Sequence, residues 1–142
     1  MRALLDVNVL IALLDPDHAS HGPAFQWFAS DAGHGWASCP LTQNGCIRIM
    51  SHPGYPNPFP ASAVIERLRE AAADRQHQFW PDDLSILDAG AIDPRRVHGA
   101  RQVTDTYLLG LAVRHAGQLV TFDKGISRSA VRNAETRHLQ VI

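Results

Sequence analysis

Two short apolar runs, Ala3-Leu4-Leu5 and Leu119-Val120-Thr121-Phe122, have the length of strands, and each stops at an acid, Asp6 and Asp123. Runs this short and this apolar read as strands covered on both faces, the mark of a parallel sheet between helices. Trp36-Ala37-Ser38 and Leu139 to Ile142 read as two more strands, the second at an edge, and residues 83 to 87 as a further small one. Helical spacing fills the intervals. Val9, Leu10, Leu13 and Leu14 recur on one face until Asp15-Pro16, and Ser20 is placed to cap a helix carrying Ala24, Phe25, Trp27 and Phe28. Pro40 can open a helix with Leu41, Ile47, Ile49 and Met50, stopped by the Gly- and Pro-rich loop SHPGYPNPFP. Val64, Ile65, Leu68, Ala71 and Ala72 predict an amphipathic helix with Glu66, Arg67, Arg69 and Glu70 outward. Thr104-Asp105 opens another, with Leu108, Leu109, Leu111, Ala112 and Ala116 inward and Gly117 closing it; Ser127 to Val131 reads as a short helix or turn. Strands alternating with helices imply an α/β fold on a parallel sheet.

With 142 residues, 45% of them hydrophobic, the chain suffices for one compact domain over residues 1–142. Thirteen basic against fourteen acidic side chains exclude a polycationic coat or a polybasic membrane tether. The balance is uneven: residues 1–94 carry five basic and eleven acidic groups, residues 95–142 eight and three, so a binding patch for an anion belongs to the C-terminal third. Cys39 and Cys46, seven apart, fit two turns of one helix face and a reducing compartment. Asp6 interrupts the apolar opening, which argues against a signal peptide or a membrane span and for a cytoplasmic protein.

Ligands of an open parallel sheet lie beyond the carboxyl ends of its strands. Asp6 and Asp123 both end strands, and Asp105 lies in the first turn of a helix, so the three acids are expected to converge there. Taken singly, each has an ordinary explanation as a cap or turn residue. Together, carboxylates a few ångströms apart raise one another's pKa unless a cation neutralises them, and hard oxygen ligands select Mg²⁺ or Mn²⁺. Such an ion activates water and neutralises phosphoryl charge, which makes phosphodiester hydrolysis the leading chemistry.

The opening LLDVNVLIALL, the middle SCPLTQNGCIRIMSHPGYPN and the segment QVTDTYLLGLAVRHAGQLVTFDKGI resemble, close to end to end, a VapC-type toxin of the PIN-domain family. The resemblance implies a three-layer α/β/α sandwich with a mainly parallel central sheet. It also implies a metal-dependent endoribonuclease of a toxin–antitoxin pair, a homodimer, and a cognate VapB-type antitoxin whose C-terminal segment brings a cation to the acids. Matched residue by residue, Asp6, Asp105 and Asp123 are the first, third and fourth family acids and the implied metal ligands. The second position departs: TQNG carries Gln43 where most relatives have Glu, so the site holds three negative charges rather than four. Two readings follow, a branch that functions with Gln43 or a weakened or noncatalytic module that binds RNA or its partner. The three intact acids favour the first.

Asn8, Thr104 and Thr121 can support the acids by hydrogen bonding, although capping and strand propensity explain the same residues. Lys124, Arg128 and Arg132, four apart, would share one face of a helix, and with Arg48 and Arg101 they are the candidates for holding RNA phosphates. His18 and His21 have no matching ligand pair for zinc, and Trp27, Trp36 and Trp80 read as core or interface. A haloacid-dehalogenase-type phosphatase would need a second Asp where Asn8 stands, a receiver domain an acid after the middle strand, and a nucleotide site a Gly-rich phosphate loop. The chain offers none of the three. For the dimer, the helices carrying Trp27, Phe28, Ile47 and Met50 supply apolar surface.

Overall fold

The computed structural model describes residues 1–142 apart from the side chain of Ala32. Strands β1 (Ala3–Leu5), β2 (Trp36–Ser38), β3 (His77–Phe79), β4 (Gln118–Thr121) and β5 (Leu139–Val141) form one sheet in the order β3-β2-β1-β4-β5, every neighbouring pair parallel. The helices are α1 (Val7–Leu14), α2 (His21–Asp31), α3 (Pro40–Met50), α4 (Ala61–Ala72) and α5 (Gln102–Arg114). The strand order reverses between β1 and β4, because β1 is followed by β2 on one side while β4 lies on the other. That reversal opens a crevice beyond their carboxyl ends.

Alternation along the central strands divides the core in two. Ala3, Leu5 and Val120 face a layer built from Val9, Leu10, Trp27, Cys46, Met50 and Val64, on the first four helices. Leu4, Ala37 and Leu119 face the other side, where Leu108, Leu109, Leu111 and Ala112 of α5 pack with Trp80, Ile92 and Val131. The result is an α/β/α sandwich. No helix among the described residues is long and apolar enough to cross a membrane.

Several expectations need correction. Residues 83–87 form no strand: Leu84 and Ile86 tuck into the α5-side core from an irregular segment, and Leu87 is 89% exposed. The missing strand is β3, whose His-Gln-Phe sequence lacks apolar alternation because an edge strand needs only backbone pairing, here with β2. Cys39 and Cys46 do not share a helix face. Cys39 is extended at the N-cap of α3 and packs toward α5, whereas Cys46 packs on the opposite side of the sheet. Helix α5 begins at Gln102, two residues before the expected start. Residues 124–132 are turns, so Lys124, Arg128 and Arg132 are not aligned by a helix. Trp27 and Met50 are core residues, and Phe28 and Ile47 pack against the same core, which removes them as evidence for a shared surface.

Gly117 does not occupy the left-handed position that closes α5. Ala116 does, at φ 52°, with the Ala116 and Gly117 N–H groups returning to the Val113 and Ala112 carbonyls in a Schellman arrangement. Glycine is needed at 117 for a different reason: a Cβ there would meet the Arg2 carbonyl oxygen at 2.6 Å and the Trp80 ring at 2.6 Å. That carbonyl accepts from Gln118 N–H at 2.9 Å and helps set the β1–β4 register. Gly117→Ala should therefore cost about 2 kcal/mol, read as a lower urea midpoint, and an unchanged midpoint would show that the two strands can move apart freely.

Candidate active site

Asp6 leaves β1 in an extended conformation and caps α1, its carboxylate accepting from Val7 N–H at 2.7 Å. Its own N–H donates to the Val120 carbonyl at 3.0 Å, which pins it to the end of β4. Beside it Thr121 ends β4, fully buried, and donates its hydroxyl to the other carboxylate oxygen of Asp6 at 2.7 Å. The same hydroxyl accepts from Asp123 N–H at 3.0 Å and from the Asn8 amide at 3.2 Å. Asn8 closes the ring by accepting from Phe122 N–H at 3.3 Å. Asp123 is exposed, and its carboxylate accepts from Gly125 N–H at 2.7 Å, which fixes the turn beyond the strand.

Asp105 reaches this edge from the opposite layer, in the first turn of α5. Its pKa is pushed up to about 6 by burial first and then by the charges of Asp6 and Asp123. The Asp6 pKa is raised as well, by burial and by Asp123, against the lowering effect of the bonds from Thr121 and Val7. The three carboxylates thus share one neighbourhood and strain one another's ionisation. No three His, Cys, Asp or Glu side chains are drawn into a ligand cage among the described residues. The chemistry of the donor set nevertheless fits a hard divalent cation: it is all carboxylate oxygen, and its charges lack a counter-ion.

The other candidates divide. Asn8 and Thr121 belong to the acid network, whereas Thr104 is exposed and bonds to none of its members. Gln43 turns its amide to Ser38, donating to the hydroxyl at 2.9 Å, and Ser38 in turn meets His77 Nε2 at 2.8 Å. It hydrogen-bonds to none of the three acids. Lys124 and Arg101 are exposed within four residues of an acid. Arg128 donates to Thr136 at 3.0 Å, and Arg132 to the Ala89 carbonyl at 2.7 Å, where it pins a loop. Arg48 is eight residues into α3, roughly 12 Å along the axis from the end that starts at the sheet edge. His18 and His21 have local partners, Ser20 N–H and the Ala12 carbonyl. Arg96, outside every quoted motif, lines a pocket together with Asp105 and Thr106. The sequence signal for Arg96 was the Asp93-Pro94-Arg95-Arg96 turn, with two cations following one acid.

Comparison with known proteins is consistent across sequence and structure. Residues 3–131 match the PIN domain family model. The chain is 50% identical over 142 residues to Ribonuclease VapC44 of Mycobacterium tuberculosis, covering 100% of both chains. It is 42% identical over 131 residues to Ribonuclease VapC39 of the same organism, covering 92% of this chain and 94% of the relative. The fold resembles the crystal structure of Mycobacterium tuberculosis VapC20, a sarcin-ricin loop cleaving toxin, with TM-score 0.58, 12% identity, and coverage of 82% and 85%. It also resembles VapBC2 from Rickettsia felis bound to a DNA fragment from their promoter, with TM-score 0.51, 11% identity, and coverage of 88% and 90%.

The raised pKa of Asp105 fixes the sign of a stability effect. A carboxyl that holds its proton more tightly when folded favours the fold at acid pH, and that contribution fades as pH climbs from about 4 to about 6. Asp105→Asn should consequently stabilise the metal-free protein at pH 7.5 by ~1 kcal/mol after solvent screening, a rise of about 3 °C in Tm. The gain should nearly vanish at pH 4. Thermal unfolding in chelator at the two pH values checks this, and a variant less stable than the parent at pH 7.5 would make Asp105 a structural acid.

Proposed function

The chain belongs to the PIN-domain family, in the branch of the VapC ribonucleases, and on that premise we propose that it is the RNA-cleaving toxin of a toxin–antitoxin pair, a Mg²⁺- or Mn²⁺-dependent endoribonuclease. The observation that carries this reading is the meeting of Asp6, Asp105 and Asp123, from two layers of the sandwich, where the strand order reverses. When bound by these three acids, the ion supplies charge neutralisation at the phosphodiester and a lowered pKa for the attacking water.

The chain's own residues prepare the site. Hydrogen bonds from Val7 N–H and Thr121 favour the ionised form of Asp6 against its burial. Thr121 and Asn8 hold the backbone of Phe122 and Asp123 in place and so orient Asp123. Asp105 bears a charge that burial and its neighbours make costly, which favours cation binding at neutral pH. In this reading Gln43 serves through Ser38, bracing the end of β2, and is not a ligand.

The alternative, a weakened or noncatalytic PIN-like module, draws on the same neutral Gln43 in place of an acid. Incubating the protein with a pool of structured cellular RNAs plus Mg²⁺ or Mn²⁺ and mapping the cut ends separates the two. The proposal extends to a VapB-type antitoxin partner, a homodimer and a cytoplasmic setting. Co-purification of the neighbouring gene product tests the partner, and a monomer by light scattering at tens of micromolar, on the order of ordinary dimer affinities, would exclude the dimer.

Asp6→Asn and Asp123→Asn should each lower RNA cleavage by on the order of a hundred-fold, about 2.7 kcal/mol of transition-state stabilisation, while thermal unfolding shows a folded protein. Wild-type cleavage by either variant would remove that residue from the site. Gln43→Glu separates bracing from ligation: it should lose the bond donated to Ser38 and about 1 kcal/mol of stability while leaving the Mn²⁺ midpoint of a thermal-shift titration unchanged. A clearly tighter Mn²⁺ midpoint would instead bring position 43 into the metal site.

A further inference from the structure

The pocket at the start of α5 is lined by Arg96, Gln102, Asp105 and Thr106 together with Gly125 and Ser127. Its groups are mostly donors. Gln102 has its side-chain oxygen taken by His98 N–H at 2.7 Å, which leaves the amide NH₂ to donate. Thr106 is only 4% exposed and brings its hydroxyl-bearing side chain to the same lining. Arg96 carries charge to spare. The buried carboxylate of Asp93 is gripped by two Arg95 nitrogens at 3.0 and 3.1 Å, whereas Arg96 Nε stands 3.6 Å away. Arg95 thus neutralises Asp93, and Arg96 is the cation of the pocket, with Asp105 the acid of the same lining. The enclosed space of the pocket admits about one water-sized group, the scale of a single oxygen.

We infer that this pocket is a phosphate subsite in which Arg96, Gln102 and Thr106 hold a non-bridging oxygen of an RNA phosphate next to the one cleaved. The assignment rests on the RNA-cleaving reading and deepens it. A guanidinium suits this work because its planar fork can grip a phosphate with two donors, and such contacts hold RNA without reading its sequence. The subsite also gives a use to an exposed arginine beside an acid that already has a better partner. Arg95 neutralises Asp93, and Arg96 remains for the substrate.

The test measures RNA binding apart from cleavage. Fluorescence anisotropy follows a fluorescein-labelled, ten-nucleotide, mixed-sequence single-stranded RNA binding to the protein in chelator, at several KCl concentrations. Arg96→Ala should weaken binding about ten-fold and reduce the slope of log affinity against log salt by about 0.7, the value for one lost single-strand phosphate contact. Arg96→Lys should keep the slope with a smaller loss of affinity, and Thr106→Val should bind about three-fold more weakly at an unchanged slope. Arg67, which is exposed and donates to the Leu14 carbonyl at 2.7 Å on the other layer, serves as the control. If a folded Arg96→Ala variant binds with the parent's affinity and slope, or if Arg67→Ala loses as much, the subsite is overturned while RNA cleavage by the parent still stands. A parent that neither binds RNA in chelator nor cleaves it with Mn²⁺ overturns both.

Discussion

The hydroxyl of Thr121 joins the two central strands at the point where they release the chain. One hydrogen and two lone pairs are all in use, toward Asp6, Asp123 N–H and Asn8. Without that hydroxyl, Asp6 would keep a buried oxygen short of a donor, and two further donors would lose their acceptor, each a cost of about 1–3 kcal/mol where water cannot enter. The arrangement depends on register: Leu5 opposite Val120 brings Asp6 level with Thr121. A slip of one residue would turn Leu4 and Leu5 to the wrong layers and dissolve both the core and the acid cluster.

The same edge is where the fold tolerates electrostatic strain. Asp6 is held by the N-terminus of α1 and by Thr121, so its charge has local support. The Asp105 pKa is raised to about 6 by burial first and then by the charges of Asp6 and Asp123. Surrounding cations do not quench the cluster directly, because several are engaged elsewhere, Arg128 with Thr136 and Arg132 with Ala89. Of the basic residues in 95–142, Arg96 shares a pocket with Asp105.

Gln43 makes its side-chain hydrogen bond away from the three acids. Its amide donates to a buried serine that also meets His77, linking the start of α3 to β2 and β3. A carboxylate could not make that donation. The neutral side chain suits the bracing of an edge strand whose own side chains contribute little to the core.

Much of the architecture was readable from spacing. Short apolar runs buried on both faces could only be strands of a covered parallel sheet, and Asp6, Asp105 and Asp123 were identifiable because strand ends and helix starts in such a sheet lie at one edge. What spacing could not reveal depends on contacts between distant parts of the chain. Strand β3 exists through backbone pairing with β2 and has no side-chain signature, while the Leu84 and Ile86 alternation that mimics a strand is satisfied by docking onto α5. Cys39 and Cys46 are separated by the sheet itself, since a helix cap divides their segment. The partnering of Arg95 with Asp93, which leaves Arg96 at the pocket, is likewise a matter of which atoms meet. Periodicity is local and survives in the sequence, whereas hydrogen-bond partners and charge pairing are set only when the layers close.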